Sequence, residues 1–405
     1  NTFEEINSMK FPNSLGLVYS TITAYLGFKP NEGEYKVMGL APYGDNQKYN
    51  NIFDKVVTTG GEIDIVKMDM SYFTWHTSDN DMFNDKLINL IGFPPRFKDE
   101  PIEQHHKDLA ASLQRWYESA LYFIINRITN TWECENLVLG GGCAYNGTAN
   151  GKILKQTNYK NVWIPPAPSD AGSAIGCALY HYYTTADVQI KKANNQNPYL
   201  GPHYSNDEIK EVLDTFKTKV VYTHKLHHEI IELISKQITE GLVIGWFEGK
   251  MEFGARALGN RSILANPCDP QMKAKVNKVI KKREGFRPFA PSCIEEDAKM
   301  FFNIKEPIPY MNQVVEVNSK HRLPSITHVD NTARVQTVNK NFNPRYYNLL
   351  LALKRISGYP ICLNTSFNFK DQTITVTPKQ AVERFLDSKM DFLAIENYLI
   401  IKMKK

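Results

Sequence analysis

Apolar and polar positions alternate along this chain in patterns that change from one stretch to the next. KDLAASLQRWYESALYFIINRITN repeats apolar residues at helical spacing throughout, which predicts one long helix. NLVLGGG is a short apolar strand that ends in three glycines. NVWIPPAPSDAGSAIGCALYHYY predicts a second short strand, a Pro-rich turn and a helix of small residues beginning near Asp170. Strand, glycine turn and helix in succession suit an α/β layer that holds a nucleotide or an anion. TTADVQIKKANNQNPYLGPHYSND is polar, with prolines and asparagines and no periodicity, and predicts a linker. Beyond it NDEIKEVLDTF starts a helix with Ser205 or Asn206 as N-cap, and EIIELISKQITEG is an amphipathic helix stopped by Gly241. LVIGWF reads as a buried strand, and RVQTV, YPICLNTSFN and FLAIENYLIIKM as further strands.

These patterns predict an α/β (α+β) protein of two domains, at 1–185 and 206–405, joined by a linker at 186–205. A chain of 405 residues exceeds one ordinary core, which agrees. Composition narrows the class. With 42% hydrophobic and 22% charged residues the chain is globular, and a net charge of +5 permits anionic substrates without demanding nucleic acid. Cys134, Cys143, Cys177, Cys268, Cys293 and Cys362 form no C-x-x-C pair, as expected of reduced thiols in a cytoplasmic protein. No apolar run is long enough for a membrane span. The sequence opens at Asn1, without methionine, in what reads as a domain already under way, so more polypeptide is expected upstream.

The candidate chemistry lies in basic residues set among glycines and prolines. GARALGNRSILA places Arg256 and Arg261 in a bed with Gly254 and Gly259. Glycines admit close backbone approach, and arginines fork onto carboxylates or phosphates. NKVIKKREGFRPFAPS adds Lys281 and Arg287, the latter between stiff apolar residues, where either an anionic ligand or a buried carboxylate would pair it. Lys273, Lys275 and Lys282 read as a solvated helix face. Arg334 follows a polar turn, and Asn364, Ser366 and Asn368 end a strand with short polar groups that satisfy turn backbone or donate to an oxyanion. Four cations with a donor-rich turn suggest a polyphosphate or phosphoanhydride site. In the first domain Gly140, Gly141 and Gly142 fit either a phosphate or a tight turn, and Asp170 fits a helix cap or a metal ligand. His105 and His106, adjacent on a helix, cannot both face one metal and read as solvated.

EYKVMGLAPYG, LVLGGGCAYNGTANGKI, DAGSAIGCAL, NPYLGP, MEFGARALGNRSILANP, NKVIKKREGFRPFAPS, THVDNTARVQTV and LNTSFN occur in this order. As a set they resemble the ATP-dependent O-carbamoyltransferases of the NodU/CmcH type over nearly the whole chain. The resemblance implies a second domain similar to the YrdC fold, in which carbamoyl phosphate and ATP give carbamoyl adenylate and pyrophosphate. It implies catalytic roles for Arg256, Lys281, Arg287 and Arg334, and carbamoyl phosphate or nucleotide contacts from Gly259, Arg261, Asn364, Ser366 and Asn368. The first domain is expected to be part of an actin-like ATPase-type (ASKHA) domain that transfers the carbamoyl group. There Lys36, Gly39, Gly140, Gly141, Gly142 and Asn146 would face the nucleotide and Asp170 would bind a metal, typically iron. ATP with Mg2+, a divalent metal and carbamoyl phosphate are the implied cofactors and co-substrate.

Three departures follow. The family's H-x-x-x-H metal pair and first actin-like subdomain are missing, so more of this chain or a second subunit is expected to supply them. FKDQT lacks the usual Gly-Glu-Pro, and Asn331 stands where glycine is commoner. The acceptor hydroxyl is expected on a sugar, a natural product or a hydroxymethylated base in DNA. The competing readings are an enzyme related to tRNA threonylcarbamoylation and a nucleotide-binding partner subunit without chemistry of its own.

Overall fold

The computed structural model describes residues 4–60, 65–185, 197–318 and 320–403. The chain divides into two compact units, Asn1–Ile164 with Pro168–Val188, and Pro165–Ala167 with Gln189–Lys405. Both mix helix and strand, and each is described by itself.

The first unit is mainly helical. Its longest element is the helix Gln104–Thr131, as the spacing predicts. The backbone N–H of Glu103 donates to Nδ1 of His106 at 2.9 Å, which closes the first turn. His106 is therefore buried and structural, not solvated, and burial beside His105 and Arg96 lowers its pKa to about 4. The strands are short: β1 (Val57–Thr59), β2 (Val66–Met68), β3 (Asn136–Val138) and β4 (Asn161–Trp163). β1 and β2 pair antiparallel, and β3 and β4 pair parallel. On one side of the β3–β4 pair, Leu137 and Val162 pack against Ile125, Ile153 and Tyr159. On the other side Val138 and Trp163 remain 65% and 42% exposed. The helix Asp170–Thr185 that follows has no buried residue and carries Leu179, Tyr180 and Tyr182 outward.

The second unit is built on β5 (Val220–His224), β6 (Ile244–Phe247), β7 (Arg261–Ala265), β8 (Ala290–Ile294), β9 (Val314–Glu316), β10 (Thr332–Arg334), β11 (Gln336–Val338), β12 (Ile361–Ser366), β13 (Phe392–Ile395) and β14 (Tyr398–Lys402). Eight of them form one sheet in the order β11-β8-β12-β7-β6-β13-β14-β5, while β9 and β10 pair separately. The two-residue period of each strand sorts its side chains between two layers. Ile244, Trp246, Leu264, Cys362 and Ala394 face the helices His227–Thr239 and Pro344–Ser357. Phe247, Ile263, Leu363, Leu393 and Ile395 face the opposite layer, with Val382 and Phe385. Cover on both faces explains the near-continuous apolar runs of β6 and β13.

Ser205 caps the helix Asn206–Asp214 in a capping box with Glu208. Of the expected linker, residues 186–196 lie outside the described residues. The remainder is not free: Pro198 and Pro202 carbonyls accept from Phe253 and Met251, and Tyr199 is buried in the second unit. The prolines and asparagines of this stretch mark an irregular segment that hydrogen-bonds to a loop instead of spanning a gap.

Candidate functional site

Strand direction gathers the candidate residues of the second unit. β12 runs antiparallel to its neighbours β7 and β8, β11 runs parallel to β8, and β6 is antiparallel to β7. The starts of β7, β8 and β11 therefore share one end of the sheet with the finishes of β6 and β12. Arg256 precedes β7, Lys281 and Arg287 precede β8, Arg334 precedes β11, and Ser366 and Asn368 close β12. From β11 to β7 the sheet spans three strand spacings, roughly 14 Å. That width suits a nucleotide polyphosphate beside a second small anion.

Lys281 is the most confined of these cations. It ends a π-helix, Lys275–Lys281, and the next residue, Lys282, takes a left-handed conformation with φ 51°. The turn drives the amine inward. Its Nζ donates to the Ser366 carbonyl at 2.7 Å, the Asn368 carbonyl at 2.7 Å and Asn368 Oδ1 at 2.6 Å, with Ser366 Oγ at 3.3 Å. Ser366 Oγ in turn donates to Asn368 Oδ1 at 2.6 Å. Burial pushes the Lys281 pKa well below that of an ordinary lysine, and the charges acting on it, Arg283, Arg287 and Arg384, are all positive and reinforce the shift. With its three N–H groups on these oxygens, Lys281 would act on an arriving anion through its charge and the turn it shapes, not through a free N–H.

Arg287 lies 3.4 Å from Glu284, which is also 3.6 Å from Lys370. One carboxylate thus stands among several cations. Asn277, 1% exposed, donates to the Arg287 carbonyl at 3.0 Å and accepts from Arg283 Nε at 2.6 Å, so it shapes the loop that carries both arginines. Arg384 donates to the Phe367 and Thr373 carbonyls and to Thr375 Oγ1, bracing the chain that follows β12. Asn277 and Arg384 do not stand out in the sequence, because their types are common in solvated helices and turns.

Arg256 is half-buried in the loop before β7. Side chains hold the backbone of that loop from Ala257 to Arg261. Trp246 Nε1 donates to the Gly259 carbonyl at 2.9 Å, and the Leu258 carbonyl accepts from Tyr199 Oη at 2.8 Å and Gln336 Nε2 at 2.7 Å. Two glycines are required by close approach and by backbone conformation. A Cβ on Gly259, φ 102°, would stand 2.1 Å from the Tyr346 ring, and one on Gly254, φ 128°, 2.4 Å from the Pro166 carbonyl oxygen.

Three predicted ligand contacts stand within this scaffold: Arg261, Asn364 and Gly259. Arg261 is 0% exposed; its terminal nitrogens donate to the carbonyls of Glu248, Asn260, Pro202 and Gly249, and its guanidinium lies 3.6 Å from the Phe247 ring centroid. With four terminal N–H groups on backbone oxygens, nothing at the tip remains for a phosphate. Asn364 is 1% exposed and its amide donates to Ser292 Oγ at 2.9 Å and to the Ala257 carbonyl at 3.3 Å, under the loop. Gly259 likewise packs on Tyr346. Each sits at the right end of the sheet, one layer beneath the surface.

Two departures find local accommodation. Asp371, inside FKDQT, adopts φ 60°, and Asn331 also adopts φ 60°. Asp and Asn are the residues besides glycine that enter this region most readily.

In the first unit the predicted residues are more dispersed in role. Gly39 is buried in the helix Glu34–Leu40, while the Lys36 amine lies 5.6 Å from the Phe28 ring centroid. Gly140, Gly141 and Gly142 are exposed, and Gly141 has φ 87° with its N–H donating to the Pro168 carbonyl. Asn146 caps the turn that follows by accepting from Ala149, and exchanges two hydrogen bonds with Gln114, so its amide is structural. Asp170 is exposed at the start of its helix. Among the described residues no group of three His, Cys, Asp or Glu side chains stands close enough to hold a metal. Asp170 alone does not make an iron site.

Comparison with known proteins decides the family. Carbamoyltransferase N-terminus matches residues 3–179, and Carbamoyltransferase C-terminus matches residues 235–402. The chain belongs to the carbamoyltransferase family. Nodulation protein NolO of Bradyrhizobium diazoefficiens is 36% identical over 97% of this chain and 70% of its own length. The uncharacterized protein sll1178 of Synechocystis is 39% identical, over 97% of this chain and 68% of its own. The 3'-hydroxymethylcephem-O-carbamoyltransferase of Amycolatopsis lactamdurans is 30% identical over 83% of this chain and 59% of its own. The chain thus spans between 59% and 70% of these three relatives. T. kodakarensis HypF aligns with 46% of this carbamoyltransferase chain and 23% of its own at 14% identity and a TM-score of 0.31, too loose a likeness to bear on fold. Among the described residues of the carbamoyltransferase, no helix is long and apolar enough to cross a membrane.

Proposed function

We propose that this protein carries out ATP-dependent O-carbamoylation, with activation of the carbamoyl group at the sheet end described above. The observation that supports this is the convergence of Arg256, Lys281, Arg287 and Arg334 with the Ser366–Asn368 turn on four adjoining strands. In this reading the second unit has the YrdC-like role. Atom balance sets the order of events. Water releases phosphate from carbamoyl phosphate and leaves carbamate. A carbamate oxygen then attacks the α-phosphorus of ATP, the bond to the pyrophosphate breaks, and carbamoyl adenylate forms. Two anions must meet, so positive groups fixed before they arrive offset their repulsion and the charge spreading over phosphorus. Mg2+ would accompany the nucleotide. An acceptor hydroxyl finally attacks the carbamoyl carbon and AMP leaves.

Transfer is assigned to the first unit, in an actin-like role, with Lys36, Gly39 and Gly140–Gly142 toward the nucleotide. Its exposed β3–β4 face and the uncovered helix Asp170–Thr185 support further polypeptide at this place, from a second subunit or more of this chain. A sugar or a natural product is the favoured acceptor, by analogy with the cephem substrate named for the Amycolatopsis relative. Six unpaired thiols suit a cytoplasmic setting.

The test is mass spectrometry of the protein with carbamoyl phosphate and Mg-ATP. Carbamoyl adenylate and pyrophosphate are expected from the unaltered chain, and at least about a hundredfold less from Arg287→Ala. Equal yields from both would sink the assignment of this site.

A further inference from the structure

Glu252 is 4% exposed in a loop whose business, on the reading just given, is to present Arg256 to an anion. Its Oε1 accepts three backbone N–H groups at once: Leu258 at 2.8 Å, Asn260 at 2.7 Å and Arg261 at 3.1 Å. The donors lie six, eight and nine residues along the chain. A single carboxylate oxygen therefore closes the loop on itself, with Phe253–Ala257 as the arc that carries Arg256. Charge-assisted bonds from backbone N–H to carboxylate are about twice as strong as neutral ones. The second oxygen, Oε2, is buried and lacks a hydrogen bond.

Other anchors reach the loop from outside: Trp246, Tyr199 and Gln336 donate to its carbonyls from the sheet and from the Pro198 segment. Glu252 differs from these because it belongs to the loop it closes. Removing an outer anchor would loosen one contact. Removing Glu252 would take the acceptor from three N–H groups at once, a cost that opening the arc to water would relieve.

We infer that Glu252 is the positioning residue of this site, an internal latch that fixes Arg256 by closing the loop from within. It touches no substrate. A displacement of about 1 Å in a positioned group can cost as much as a hundredfold in rate, so a latch that sets the arginine sets affinity and turnover together.

The test is a double-mutant cycle on Glu252→Ala and Arg256→Ala, read as Kd for carbamoyl phosphate by calorimetry and as KM in pyrophosphate release. Glu252→Ala is expected to weaken carbamoyl phosphate about tenfold when Arg256 is present, and less than about twofold in the Arg256→Ala background. Glu252→Gln keeps an amide oxygen in the Oε1 place and is expected to restore most of the affinity, which also guards against a variant that fails to fold. Amide exchange of residues 253–260 should quicken in Glu252→Ala while β7 and β12 stay protected. Multiplicative losses in the cycle, or an unchanged exchange rate in the loop, would overturn the inference. The reading of the reaction fails separately: an unaltered chain that binds carbamoyl phosphate but releases no pyrophosphate refutes activation, while the Kd cycle still decides the latch. An unaltered chain that binds no carbamoyl phosphate overturns both.

Discussion

Two glycine loops of this protein read alike in sequence and do opposite things in space. Gly140–Gly142 ends an exposed strand, and Cβ atoms built on Gly141 or Gly142 would meet nothing within 4 Å. The loop from Gly254 to Gly259 is wedged between Pro166 and Tyr346, and side chains occupy its backbone from Ala257 to Arg261. In the first, glycine leaves space and permits φ 87° at Gly141. In the second, glycine removes bulk so that a loop can be held rigid. The strands behind them differ in the same sense. β3 and β4 are a parallel pair open on one face, whereas β7 is an inner strand of an eight-stranded sheet. Parallel pairs are ordinarily buried on both faces.

The sharpest way to break this contrast is to add a methyl group to each loop. Gly259→Ala places Cβ 2.1 Å from Tyr346 at φ 102° and is expected to destabilise the protein by about 3 kcal/mol or more. Gly142→Ala meets open space and should stay within about 0.5 kcal/mol of the unaltered chain. Urea unfolding of the two variants measures the difference. Equal costs would mean that Gly142 is packed, and the contrast would fall.

A second experiment sharpens the electrostatic side. Lys281→Met removes the buried amine from four oxygens and should lower carbamoyl adenylate formation about a hundredfold. Lys160→Met, in the first unit, removes one partner of an exposed pair with Glu135 and should change neither rate nor stability measurably. Pyrophosphate release with both variants gives the ratio. A Lys281 variant that retains full rate would show that its amine only ties the turn after β12.

The contrast also explains what could be read without coordinates. The helix Gln104–Thr131 and the strands β6, β12, β13 and β14 follow from periodicity because burial on one or both faces imposes it. Arg256, Lys281 and Arg287 stand out in the sequence because cations among glycines, prolines and aromatics are poorly explained by solvation. Depth was not legible. Arg261 and Arg256 stand five residues apart in one motif, yet one is fully buried on backbone carbonyls at the end of the sheet and the other is half-buried. Nothing local distinguishes them, since Pro202 and Gly249, which take the Arg261 tip, come from elsewhere in the chain. Glu252 was missed for the same reason: its partners follow it in sequence, but only the closed loop brings all three to one oxygen.

The smallest expected effect compares the two units through one histidine each, His106 buried and His227 half-buried. His106 in the first unit and His227 in the second both begin helices, and burial lowers both pKa values to about 4. An unfolded histidine titrates near 6.5, so below that pH the unfolded chain binds the extra proton and the folded chain resists it. Each group's contribution is therefore complete above about pH 6.5 and is lost as pH falls toward 4. At pH 5 the loss should be about 1 kcal/mol for each histidine. The two differ in mechanism. His106 Nδ1 must accept the Glu103 N–H, so protonating that nitrogen also breaks the helix cap, whereas His227 Nε2 is buried without a partner. His106→Asn supplies an acceptor that does not titrate. It should flatten the pH dependence of amide exchange in the helix Gln104–Thr131 while leaving the helix His227–Thr239 as sensitive as before. A matching change in both helices would show that the units unfold together, and that the openness of the first does not separate its stability from that of the second.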